Sequence, residues 1–175
     1  LVPVLVDDEQ VICDSWAIAD HLERTYPDAP SLFGGAAAQS LTRFINDYVD
    51  VVVIPGIFRL IASDIVPILH EQDRLYFRNS REKRLGKPLE EFTSNRDLEL
   101  EAFRKSLEPV RRLLSRQAYL SGETARYADY ILFGAFQWAR CTSTFELLAE
   151  VDLIARWRDR LLDAFDGHAR NAPHV

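Results

Sequence analysis

The chain begins with two short apolar runs, Leu1-Val2-Pro3-Val4-Leu5 and Val11-Ile12-Cys13, separated by the polar stretch Asp7-Asp8-Glu9-Gln10. Short apolar runs on either side of a polar turn predict a β-hairpin. A proline in the first run gives up a ladder donor, which confines it to a sheet edge or to an unusual peptide bond. From Asp14-Ser15 onward the period changes. Trp16 to Tyr26 is amphipathic, and an acidic-hydroxyl pair at its head is the chemistry of a helix start. The remainder reads helical. Leu41, Phe44, Ile45, Tyr48, Val49 and Val52 recur at helical spacing from Ala37 until Pro55-Gly56, which predicts a kink or stop. Glu71 to Leu85 suits a polar helix closed by Gly86 and stopped by Pro88. Leu100, Phe103, Leu107, Val110 and Leu114 mark one buried stripe, with a bend or break at Pro109 and an end at Gly122. Ala128 to Ala139 is apolar nearly all round and is expected at the centre of the core. Ile154, Trp157, Leu161, Leu162 and Phe165 give a last amphipathic helix ending at Gly167. Pro27, Pro30 and Gly34-Gly35 punctuate residues 27–35 and predict a domain boundary.

Composition narrows the function classes. The 175 residues, 47% of them hydrophobic, can build one sizeable core or a small lobe packed on a larger one. No uninterrupted apolar run approaches the roughly 18 residues of a membrane span, and no leader pattern opens the chain, so neither spanning nor secretion is expected. A net charge of −6 argues against nucleic acid, whose backbone is bound by clustered Lys and Arg. Cys13 and Cys141 lack CxxC spacing, and His21, His70, His168 and His174 lack ligand spacing, so no disulfide scaffold or metal site is expected. Methionine is absent altogether, Leu1 included. The chain is therefore expected to be a fragment, a processed product or a chain with residues left off. A hairpin alone is also marginal, which suggests that it starts inside a fold.

Three groups carry candidate chemistry. Asp14 and Ser15 surround backbone N–H groups that can bind an anion, although residues of this kind serve as plain caps in most helices. Cys13 precedes the same helix start, where a thiolate is stabilised, but the adjacent Asp14 raises a thiol pKa. Both cysteines are expected to be buried and structural. Arg78 to Lys87 mixes Arg81, Lys83 and Arg84 with Glu82, the pattern of a solvated face.

Val2-Pro3-Val4-Leu5, Cys13-Asp14-Ser15-Trp16-Ala17-Ile18-Ala19, Leu22 and Tyr26-Pro27 resemble the end of the thioredoxin-like lobe of cytosolic glutathione transferases. Tyr76-Phe77-Arg78, Ser80 to Arg84, Gly86-Lys87, Tyr127 to Tyr130 and Phe136 to Cys141 resemble a microbial branch that includes bacterial β-etherases and a fungal Fu class. The resemblance implies an α+β remnant. Residues 1–30 would be a truncated thioredoxin-like lobe (β-hairpin plus helix), and residues 36–175 an all-α C-terminal helical domain. The first strand-helix-strand unit and the next helix, which carry the family's thiol-activating Ser, Tyr or Cys, would lie ahead of Leu1, leaving the catalytic residue unknown.

The resemblance also assigns roles. The Val2 backbone would clamp the cysteinyl unit of glutathione beside cis-Pro3. Ser15 and the first-turn N–H groups would hold the γ-glutamyl carboxylate, and Asp14 would face its ammonium. A hydrophobic, aromatic second substrate such as an aryl ether would lie between the helices of Tyr48 and Trp138. Asp129 would be a structural cap, with Arg126 standing where the family carries the Ser or Thr that completes the box. A cytoplasmic homodimer with glutathione as co-substrate is implied. The same scaffold also serves non-catalytic binding or assembly modules and glutathione-dependent reductases or dehalogenases, because a fold does not fix its chemistry.

Overall fold

The computed structural model describes residues 2–175. Strands β1 (Val4–Asp7) and β2 (Gln10–Cys13) form an antiparallel hairpin in the register Val4 to Cys13 and Asp7 to Gln10, with Asp8 in the left-handed region at the turn. Helix α1 (Ser15–Thr25) packs on the hairpin. Asp7 ties the two together, pairing with His21 Nε2 at 2.6 Å and accepting from the Tyr26 hydroxyl at 2.7 Å. These two bonds hold the Asp7 carboxyl below its usual range, the tyrosine bond contributing most.

The rest is helical: α2 (Ala36–Tyr48), α3 (Ile54–Ile68), α4 (Glu71–Leu85), α5 (Leu89–Phe92), α6 (Arg96–Ser106), α7 (Glu108–Leu114), α8 (Tyr127–Thr142) and α9 (Leu153–Gly167). A hairpin-plus-helix unit followed by an all-α region is the expected fold class. The helical core gathers around Trp157, Phe136, Ile57, Leu60, Ile61, Leu107, Leu132 and Ile154, all nearly or fully buried. Helix α8 supplies Leu132, Phe133, Ala135, Phe136 and Ala139 to that cluster, as its all-round apolar sequence requires. Asp152 caps α9 by accepting from Ile154 N at 2.9 Å and is clamped by Arg111 Nη2 at 2.8 Å, which joins α7 to α9.

Four expectations need correction. Of the kink or stop expected at Pro55-Gly56, the stop is absent: a π-helical stretch, Val49–Val53, joins α2 and α3 into one run of 33 residues. Its wider turn relieves the clash a proline ring makes with the carbonyl four residues back. Gly56 instead allows close approach, since a Cβ there would lie 2.6 Å from Phe103 Cδ2. This run is long and apolar enough to cross a membrane by length and composition, but one side of it, Val53, Ile57, Leu60, Ile61 and Ile65, is buried in the bundle. Second, Leu41 and Phe44 are exposed; Thr42 faces inward instead, while Val49 is buried as the spacing predicts. Third, the helix carrying the stripe 100–114 ends at Leu114 rather than Gly122; the break expected at Pro109 is present, dividing α6 from α7 with Pro109 in the first turn of α7. Fourth, Ala164, Phe165 and Asp166 leave helical geometry, so Phe165 swings out to 75% exposure and faces Tyr130 at 6.2 Å.

Candidate functional site

The start of α1 is built by a single carboxylate. Asp14, at φ 83°, places Oδ1 3.0 Å from Trp16 N and 3.1 Å from Ala17 N. Its own N–H donates to the Pro3 carbonyl at 3.1 Å, so the strand end and the helix start are fixed to one another. The Val2–Pro3 peptide is cis. Val2, Asp14 and Ser15 are all exposed. The structure thus brings the four glutathione-side residues to one corner, with a modification. Two of the first-turn N–H groups assigned to a ligand carboxylate are taken by Asp14 itself, because a carboxylate in this geometry is the strongest local cap. The Ser15 hydroxyl and N–H, together with the other Asp14 oxygen, are what the corner presents.

Behind that corner lies an aromatic cluster that sequence reasoning missed. Trp16, Phe33 and Tyr127 pack with ring centroids 5.4 to 5.9 Å apart. Arg43 of α2 lies over Trp16 at 4.6 Å. Burial pushes the half-buried Tyr127 phenol above its usual pKa, the Ser15 hydroxyl draws it down, and Asp14, Arg43 and Asp50 all act on it electrostatically. Tyr127 therefore faces Ser15 across the junction between α1 and α8. The junction is held by Tyr127 N on the Leu32 carbonyl at 2.9 Å, Arg126 Nη1 on the Ser31 carbonyl at 2.6 Å, and Glu23, which accepts from Ser31 Oγ and Leu32 N. Nothing in the local sequence marks Tyr127, since its partner stands more than a hundred positions away.

The two aromatic residues assigned to a second substrate are parted. Trp138 lines a cavity of about 780 Å³ with Phe58, Phe77, Phe92 and Asp50. Tyr48 is not on that wall; its hydroxyl donates to the Ser106 carbonyl at 2.6 Å, toward α6, and burial raises its pKa. Both residues pack against the core, as helical periodicity predicts, but toward different neighbours. Asp50 lines the cavity and also acts electrostatically on Tyr127.

Asp129 sits at a different helix start. It is fully buried and accepts from Leu120 N at 2.7 Å, Ser121 N at 3.2 Å, Arg126 N at 3.1 Å and Trp157 Nε1 at 2.9 Å. Only half of a capping box is present, because the guanidinium of Arg126 has no acceptor to return. Cys13 is exposed and Cys141 half-buried, contrary to expectation; Cys13 lies on a two-stranded sheet too small to cover it. Among the described residues, no group of three or more His, Cys, Asp or Glu is placed to hold a metal ion.

Comparison with known proteins follows this geometry. Residues 1–30 match the family described as "Glutathione S-transferase, N-terminal domain", and residues 40–166 match "Glutathione S-transferase, C-terminal domain". The glutathione transferase GSTFuA3 of Phanerochaete chrysosporium superposes with a TM-score of 0.80 at 28% identity, over 91% of this chain and 68% of that one. A glutathione S-transferase of Ceriporiopsis subvermispora, crystallised in complex with glutathione, shares the fold with a TM-score of 0.73 at 23% identity, over 97% and 68% of the two chains. The glutathione S-transferase-like protein ustS of Aspergillus flavus is 27% identical over 140 residues, 72% of this chain and 49% of that one. The chain thus spans about half the length of this curated relative. With the C-terminal helical domain matched over most of the chain, the protein belongs to the glutathione S-transferase family.

Proposed function

We propose that this protein is a glutathione transferase that binds glutathione at the start of α1 and joins it to, or uses it to cleave, a hydrophobic aromatic substrate such as an aryl ether. The observation that carries this reading is the bond from Asp14 N to the Pro3 carbonyl, which seats the exposed Val2 backbone beside the Ser15 hydroxyl. In this reading the Val2 N–H and C=O hold the cysteinyl unit. Ser15 donates to the γ-glutamyl carboxylate, and the unused Asp14 oxygen faces the ammonium. The aromatic acceptor lies in the cavity over Trp138, while Tyr48 acts as a packing residue. The glutathione bound to the Ceriporiopsis relative supports the choice of co-substrate.

Residues 1–30 and 36–175 act in this reading as two units meeting at the Trp16–Phe33–Tyr127 cluster. The exposed Leu41 and Phe44 of α2 support a homodimer, and the family supports a cytoplasmic setting. Ser15→Ala is expected to weaken glutathione about tenfold, or about 1.4 kcal/mol, by titration calorimetry. Unchanged affinity in that variant would overturn the assignment.

A further inference from the structure

The cavity over Trp138 has an electrostatic character that a plain hydrophobic acceptor does not need. Besides its aromatic wall it is lined by three guanidiniums, Arg59, Arg81 and Arg84, and by one carboxylate, Asp50. Several arginines on the helix surfaces are matched to acids: Arg78 with Glu82 and Glu90, Arg96 with Asp64, Arg111 with Asp152; others, such as Arg74 and Arg116, are not. Among the described residues the three cavity arginines have no ion-pair partner, although the protein as a whole carries six more acidic than basic groups. Asp50 is the one acid on the wall; it forms no ion pair with the three arginines, its carboxylate accepting instead from Asn46 Nδ2 at 2.8 Å, so the lining carries two more cationic than anionic groups.

Two of these cations are held by the aromatic wall itself. The Arg81 guanidinium lies 4.9 Å from the centre of the Phe77 ring, and that of Arg84 lies 5.8 Å from the centre of Phe58. Both rings line the cavity. Stacking fixes a planar guanidinium while leaving its N–H edge free, and that edge matches a carboxylate with two parallel bonds. Arg81 makes one side-chain bond, to Ser80 Oγ at 3.1 Å, and retains further donors. Arg81 is half-buried, whereas Arg59 and Arg84 are exposed, so Arg81 is the least screened of the three.

Resting on the reading of this cavity as the acceptor site, we propose that it selects aromatic acceptors bearing a carboxylate, with the ring against Phe58, Phe77 and Trp138 and the acid group on Arg81, assisted by Arg84 and Arg59. The site is then tuned for amphipathic organic anions rather than for neutral arenes.

The test uses two probes with one hydrophobic body, 1-pyrenebutyrate and 1-pyrenebutanol, titrated by fluorescence into the protein at low salt, with glutathione titrated separately by calorimetry. The butyrate is expected to bind at least tenfold more tightly than the alcohol. About 1 M salt should erase that preference, and so should Arg81→Gln combined with Arg84→Gln, with alcohol binding unchanged. Arg81→Lys combined with Arg84→Lys, which keeps the charge, should retain part of the preference and so separates lost charge from lost folding. Equal binding of the two probes, binding of neither, or a preference that survives removal of both charges would overturn the proposal. Glutathione binding with equal probe affinities defeats this proposal alone, whereas absence of glutathione binding defeats the reading beneath it.

Discussion

Two aspartates near helix starts, Asp129 in the first turn of α8 and Asp14 capping α1, are used in opposite ways. At α8, Asp129 is fully buried and both oxygens are occupied by four N–H donors, two from adjacent residues of one loop, one from the helix start and one from Trp157. At α1, Asp14 is exposed, caps two N–H groups with one oxygen and leaves the other to solvent. A buried carboxylate is tolerated only when every lone pair finds a donor, so Asp129 has no capacity left for a ligand. Asp14 keeps a charge and an acceptor facing outward beside Ser15. The same residue type is therefore structural at one helix start and available for recognition at the other. Burial and donor count separate the two where residue identity does not.

The comparison breaks most visibly at Asp129. Asp129→Ala leaves four buried or half-buried donors without their acceptor, each loss costing about 1–3 kcal/mol. A stability loss of at least about 4 kcal/mol by urea unfolding is expected, and a loss below about 1 kcal/mol would show that the network carries little. At Asp14 the effect should be smaller and divisible. Asp14→Ala removes a cap worth about 1 kcal/mol, whereas Asp14→Asn, a comparable cap that tolerates positive φ, should change unfolding by less than about 0.5 kcal/mol. Equal losses in the two variants would mean that its charge, not its capping bond, stabilises α1.

The smallest effect belongs to a third carboxylate, exposed yet paired. Glu90 takes two bonds from Arg78, at 2.9 and 2.7 Å, and this holds its pKa at about 2, below the ordinary 4.5. The folded value lies below the unfolded one, so the contribution is present above pH 4.5 and fades as pH falls from about 4.5 to about 2. With Glu90 60% and Arg78 32% exposed, it should not exceed about 1 kcal/mol. Glu90→Gln is expected to flatten the acid limb of the unfolding curve by that amount, and an unaltered limb would show that the pair contributes nothing.

What could be read from the sequence follows the range of the interactions involved. Helix α4 was legible at both ends because its signals are local: Glu71 and Asp73 in the first turn, Lys83 and Arg84 in the last, and Gly86 at φ 72° closing it. Helix α8 was legible because Leu132, Phe133 and Phe136 leave it no polar face. The corner residues Pro3, Asp14 and Ser15 could be singled out by chemistry and resemblance. The π-helical stretch at 49–53 could not, since it answers to Pro55 and to packing against α6 and α8. Tyr127 and Arg43 were hidden for a related reason: each acts on the α1 corner from a distant part of the chain. Phe165 was misread because two left-handed residues, not a glycine alone, end α9.

The central claim is that the exposed start of α1 grips the γ-glutamyl end of glutathione. Calorimetric titration of glutathione against cysteinylglycine, which lacks that end, tests it most directly. Glutathione is expected to bind at least tenfold more tightly to the unaltered protein, and the two ligands to converge in Ser15→Ala combined with Asp14→Asn. Equal affinities in the unaltered protein, or a preference that survives both substitutions, would contradict it.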